Sequence, residues 1–146
     1  MLHEEGLENV FRRHDRHAEA TRAAVEAWGL EVWCEEPKEY SSSLTAVAMP
    51  LSHDADKLRE TILEAFDMSL GTGLAKLGGN VFRIGHLGHF NDLMLAGTLS
   101  GVEMGLKLAK VPHKPGGINA ALNSLAESHH YATQDMPVAE GALPRR

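Results

Sequence analysis

The sequence predicts a two-layer domain of the α/β or α+β kind, and three observations carry that expectation. Apolar residues three and four apart mark helices over residues 4–28, 55–66 and 90–110. Short apolar runs bounded by turn residues, at 44–49 and 81–84, read as strands. The order strand, loop, helix from residue 44 to residue 66 fits a sheet layered on helices better than a helix bundle.

In chain order, Leu7, Phe11, His14, Ala18, Thr21, Val25 and Trp28 form one stripe of the first helix, which Gly29 ends. Its other face, with Arg12, Arg13, Asp15, Arg16, Glu19, Arg22 and Glu26, reads as a solvated surface with local ion pairs. Residues 30–33 read as a short strand. Residues 44–49 read as an inner strand with apolar groups on both faces, so that its second side calls for cover by another domain. Ser52 or Asp54 can cap the helix over 55–66, whose seam is Leu58, Ile62 and Phe66. Gly78-Gly79, between residues 74–77 and 81–84, predicts a tight hairpin. Asn91 can cap the helix that follows, in which Gly97, Gly101 and Gly105 recur every four residues. Each costs helix propensity, so the spacing implies close packing of a neighbouring backbone. A last helix is expected over 118–129 with Ala121, Leu122, Leu125 and Ala126 inward. Residues 132–146 have no apolar period and read as a disordered tail.

The composition narrows the function classes. A net charge of −6 gives no basic field for a nucleic-acid backbone, and no window is long and apolar enough to span a membrane. The single cysteine, Cys34, lies among acids that would raise its pKa, which argues against a reactive thiol. A reducing, cytoplasmic setting is the expectation. Nine histidines form no ligand set of recognised spacing, Gly71-Thr72-Gly73 lacks the Gly-Lys-Ser/Thr ending of a phosphate loop, and no Gly-x-Ser-x-Gly elbow occurs.

One residue stands out. In Val81-Phe82-Arg83-Ile84-Gly85-His86, period-two alternation puts Phe82 and Ile84 on one face and Val81 and Arg83 on the other. An arginine in apolar surroundings reaches solvent at a sheet edge, pairs with an internal acid, or binds an external anion with its rigid fork of donors. Spacing leaves these three open.

The motifs go further. Ser69-Leu70-Gly71-Thr72-Gly73-Leu74, the stretch from Val81 through His86-Leu87-Gly88, Phe90-Asn91-Asp92-Leu93-Met94 and Gly101-Val102-Glu103-Met104-Gly105-Leu106 together resemble the C-terminal small domain of class V, fold-type I, pyridoxal-phosphate-dependent aminotransferases, the serine–glyoxylate branch above all. The resemblance implies an α+β small domain over residues 1–131, with a three- or four-stranded, mainly antiparallel sheet and helices on one face. It implies that Arg83 binds the α-carboxylate of an amino-acid or oxo-acid substrate, with Gly85 and His86 as further candidates around it. It also implies a homodimeric full enzyme that moves an amino group from serine (or alanine) to glyoxylate. The Schiff-base lysine, the aspartate facing the pyridine nitrogen and the phosphate cup belong, in that family, to a large domain absent from this chain. None of Lys38, Lys57, Lys76, Lys107, Lys110 and Lys114 matches the catalytic lysine. The chain alone is therefore expected to bind no pyridoxal phosphate and to be inactive without its missing large domain. The alternative is a free-standing, non-catalytic regulatory or interaction domain derived from the same fold.

Overall fold

The computed structural model describes residues 2–134, with side chains over 3–128. A short helix α1 (Leu2–Glu5) leads into the long α2 (Leu7–Ala27); β1 (Glu31–Val32), β2 (Leu44–Ala48) and α3 (Ala55–Phe66) follow. Then come β3 (Gly71–Thr72), β4 (Val81–Gly85), α4 (Asp92–Leu108) and α5 (Gly117–Gln134). The four strands form one antiparallel sheet in the order β1-β2-β4-β3. This is the expected α+β layering.

All the helix packing falls on one face of the sheet, and the alternation along the strands selects the residues for it. Val47 pairs with Phe82 and Thr45 with Ile84, and these four side chains are buried beneath α2, α3 and α4. The other face carries a row that crosses β2, β4 and β3 and continues to Trp33, just past the end of β1. Arg83 is opposite Ala46 on one side and Gly71 on the other, and the Trp33 amide donates to the Ala46 carbonyl at 2.8 Å. Of that row Trp33 is exposed, while Ala46, Arg83 and Gly71 are partly buried.

The helices end where local chemistry says they should. Asp54, not Ser52, caps α3 by accepting the Asp56 amide at 2.8 Å, and Asn91 caps α4 by accepting the Met94 amide at 2.9 Å. Gly29 takes φ +74° after α2, a left-handed conformation that other residues adopt at a cost. At the start of α5 the carboxylate of Glu103, projecting from α4, accepts the amides of Gly116 (2.8 Å) and Ile118 (3.0 Å) and the indole N–H of buried Trp28 (2.8 Å).

Of the three regularly spaced glycines, two explain themselves. A Cβ on Gly101 would lie 2.7 Å from Met68 Cε, and one on Gly105 would fall inside the envelope of the Ile62 side chain, whereas Gly97 faces open space. The close neighbours are thus side chains of and just beyond α3, not a backbone. Gly105→Ala should cost about 1–3 kcal/mol by forcing α3 and α4 apart. Urea denaturation of Gly105→Ala, Ile62→Ala and the double variant checks this: the double variant should lose less than the sum of the two.

Several expectations are corrected. The preceding segment that pairs with β4, on the side away from β2, is Gly71–Thr72 and not residues 74–77, of which Ala75–Leu77 form a 3₁₀ turn within a longer connection. Gly73 is needed in that connection because a Cβ there would collide with the Leu77 carbonyl. Leu7 and Phe11, placed on the buried stripe of α2, are 45% and 56% exposed; α2 joins the core cluster through Ala20, Ala24 and Val25, with Val10, His17 and Ala18 also buried. Leu122 and Ala126 are exposed on α5, where Ala121 and Leu125 are buried. Helix α5 also runs to Gln134, past the helix end expected at residue 129; residues 135–146 of the expected tail lie outside the described residues.

Candidate functional site

Arg83 lies on the sheet face opposite Phe82 and Ile84 and lines a groove of about 320 Å³ together with Leu44, Leu70, Gly71, Gly85, Phe90 and, from α4, Thr98. Its Nε donates to the Thr72 carbonyl at 2.8 Å. Among the described residues no Asp or Glu forms an ion pair with it, so an internal salt bridge does not account for this half-buried cation. A buried or half-buried guanidinium without an acid retains donors for an external anion.

The other two candidates separate. Gly85 is exposed and lines the groove, but a Cβ there would meet only ordinary contact with Leu87 at 3.4 Å, so its backbone does not demand glycine. Gly88, at φ +77°, is the position in this loop that does. His86 turns inward: it is fully buried, its amide donates to the Ser43 carbonyl at 3.0 Å, and its Nε2 lies 3.0 Å from Thr45 Oγ1 on the helix-facing side. It does not line the groove. His89, three residues on, is exposed.

Sequence reasoning missed the residues that hold the 86–91 loop. Arg13 donates Nη1 to the carbonyls of Gly88 (2.9 Å) and Phe90 (3.0 Å) while its Nε and Nη2 pair with Glu5 at 2.8 and 2.9 Å. The Gly88 amide donates to His14 Nε2 at 3.1 Å. Arg16 donates to Asp92 (2.9 Å) and Ser128 (2.9 Å), and His17 Nε2 donates to the other oxygen of Asp92 at 2.8 Å. Arg13 and Arg16 therefore do not belong to a solvated face with local pairs; they clamp α2 to the loop that follows the Arg83 strand and to the start of α4. The repeated Arg-His dipeptide spacing of 13-14 and 16-17, one helical turn apart, was the available signal.

Burial dominates the titration of the two enclosed histidines. It pushes His86 down from 6.5 to about 4, and it lowers His17 despite the opposing carboxylate of Asp92. The Nδ1 of each is buried without a hydrogen-bond partner among the described residues. A group whose folded pKa lies below its unfolded value is protonated first in the unfolded chain, so acid favours unfolding. Stability should be flat above pH 6.5 and fall by about 3 kcal/mol as pH drops towards 4, from His86 alone. Thermal melts of the wild type and His86→Gln between pH 7.5 and 4.5 check this; the variant should show the shallower fall.

The described residues do not fit pyridoxal phosphate. All six lysines are exposed, and none of them lines the groove beside Arg83. Any lysine that holds such a cofactor over this groove must come from outside the described residues.

No family model matches the chain. Serine–glyoxylate aminotransferase of Arabidopsis thaliana is 43% identical to it over 129 residues, which take in 88% of this chain and 32% of the plant protein. L-Aspartate–glyoxylate aminotransferase of Paracoccus denitrificans is likewise 43% identical over 129 residues, 88% of this chain and 32% of that protein. The crystal structure of pyridoxamine–pyruvate aminotransferase from Mesorhizobium loti superimposes with a TM-score of 0.80 at 31% identity, over 85% of this chain and 32% of that one. The chain thus spans about a third of the length of these relatives. It belongs, by fold and by homology, with the C-terminal small domain of the class V, fold-type I, pyridoxal-phosphate-dependent aminotransferases. Within that class, serine–glyoxylate aminotransferases are among the relatives it resembles over most of its length.

Proposed function

We propose that this chain is the substrate-carboxylate-binding small domain, over residues 1–131, of an aminotransferase that moves an amino group from serine or alanine to glyoxylate. The observation that carries the reading is Arg83: a half-buried cation lining a groove, with no acidic partner among the described residues. The names of the relatives agree with this choice. Two of equal similarity have different donors, serine and aspartate, yet both have glyoxylate. Serine, aspartate and glyoxylate share a carboxylate next to the reacting carbon, and a planar two-pronged guanidinium is suited to that group.

Proton transfer and the electron sink fall outside this chain in our reading, since pyridoxal phosphate and its lysine reside in the large domain. Arg83 fixes the substrate by its carboxylate and so orients the reacting carbon; it moves no proton. The row Trp33, Ala46, Arg83 and Gly71 is where the large domain packs, and Trp33 at 52% exposure is the kind of side chain that such a surface covers. In the full enzyme the unit is a homodimer. A free-standing regulatory domain would present a polar surface in that place.

The test is a chimera in which this chain replaces the matched third of the Arabidopsis enzyme. It should convert serine and glyoxylate to hydroxypyruvate and glycine, whereas the 146-residue chain alone should not. A folded, cofactor-loaded chimera without turnover, or turnover by the chain alone, would contradict the proposal.

A further inference from the structure

Arg83 does not merely sit in the sheet; its neighbours decide which of its edges faces outward. Its strand partner Gly71 has no side chain, and the Arg83 side chain lies over that position: a Cβ on Gly71 would come 3.1 Å from Arg83 Cβ and 3.2 Å from its Nε. The next residue, Thr72, supplies the carbonyl that takes the Arg83 Nε–H at 2.8 Å.

A strand of two residues has few ladder hydrogen bonds to hold it. Helix α3 supplies the rest, one tether on each side of Gly71. Arg59 Nε donates to the Leu70 carbonyl at 2.8 Å, and Asp56 Oδ1 accepts the Thr72 hydroxyl at 3.0 Å. The two tethers are themselves joined, since Arg59 Nη1 donates to the same Asp56 oxygen at 2.8 Å. The result is a brace from α3 through β3 to the guanidinium.

A guanidinium can grip a carboxylate side-on, through Nε and one Nη, or end-on, through its two Nη groups. With Nε committed to Thr72, the side-on edge is taken. We infer that Asp56, Arg59, Gly71 and Thr72 are positioning residues that commit Arg83 to end-on recognition of a small carboxylate through Nη1 and Nη2. The inference rests on the reading of Arg83 as a carboxylate site and adds to it the edge used and the residues that select it.

Nitrogen-15 NMR of the arginine side chains in the full 146-residue chain tests this, with glyoxylate as the probe and Arg83→Lys to assign the signals. Before ligand is added, the Arg83 Nε–H should exchange with water much more slowly than that of exposed Arg12. On titration the Arg83 Nη signals should shift and the Nε signal should stay. Gly71→Ala should abolish the slow exchange and weaken glyoxylate binding about tenfold, as expected for one charge-assisted hydrogen bond misplaced. Asp56→Asn and Thr72→Val, which leave the strand backbone alone, should change exchange and affinity in the same direction by less. An Nε signal that shifts with the Nη signals overturns end-on binding while leaving Arg83 a carboxylate site. A slowly exchanging Nε–H with no glyoxylate-induced shift overturns the carboxylate reading itself, and this inference with it. Unchanged exchange and affinity in all three variants overturn the positioning roles.

Discussion

In the chimera with the Arabidopsis large domain, Arg83→Lys should lower kcat/KM for the amino donor by about 30- to 1000-fold. That range corresponds to about 2–4 kcal/mol, the cost of losing a paired, desolvated charge contact. Lysine keeps the charge but replaces a planar fork by a single flexible ammonium, so the substitution separates geometry from net charge. Arg83→Gln should fall at the upper end of the range. Because the contact exists before and during the reaction, most of the loss should appear in KM. Circular dichroism should be unchanged, since among the described residues the guanidinium makes one hydrogen bond, to the Thr72 carbonyl, and lies on the sheet face opposite Phe82 and Ile84.

The largest expected effect on stability belongs to Glu103→Ala. It removes the acceptor of three N–H groups at once, one of them on the fully buried Trp28 and two at the start of α5. An orphaned buried donor costs about 1–3 kcal/mol and a lost helix cap about 1 kcal/mol, so the total is about 2–4 kcal/mol, or about 10 °C in Tm. Burial raises the Glu103 pKa, but the amides of Gly116 and Ile118 and the Trp28 indole together hold it below its ordinary value of 4.5. A depressed carboxyl contributes stability above that ordinary value and loses it as pH falls further. The difference between wild type and Glu103→Ala should therefore be full at pH 7 and shrink below about pH 4.5. Melts at pH 7 and pH 3.5 measure it, and Glu103→Gln, which retains an acceptor oxygen, should recover part of the loss.

What was legible in the sequence was what short-range chemistry determines. Helix α3 has its bounds at 55–66 because its seam and its Asp54 cap are local, and the inward and outward sides of β4 follow from alternation. What was not legible depends on groups far apart in the chain. Gly71–Thr72 has no strand-like pattern; it pairs with β4 because α3 braces it there and because Arg83 needs the space above Gly71. Arg13 and Arg16 look like any helix-surface cations until their partners at Gly88, Phe90 and Asp92 are seen. Leu7 and Phe11 fit the apolar period of α2 yet are exposed, since periodicity marks an apolar face without saying what covers it. Residue chemistry left Arg83 three possible roles, and the family motifs around it selected one.

The pairing between Arg83 and a substrate carboxylate can be measured without reference to anything else in the site. In the chimera, the rate of the amino-donor half-reaction would be compared for serine and for ethanolamine, the same amine without its carboxylate, with Arg83 intact and with Arg83→Ala. The account predicts that intact Arg83 favours serine strongly and that Arg83→Ala erases most of that preference, a coupling of about 2–4 kcal/mol between the residue and the carboxylate. Equal losses on both amines would contradict it, because Arg83 would then act on something other than the carboxylate.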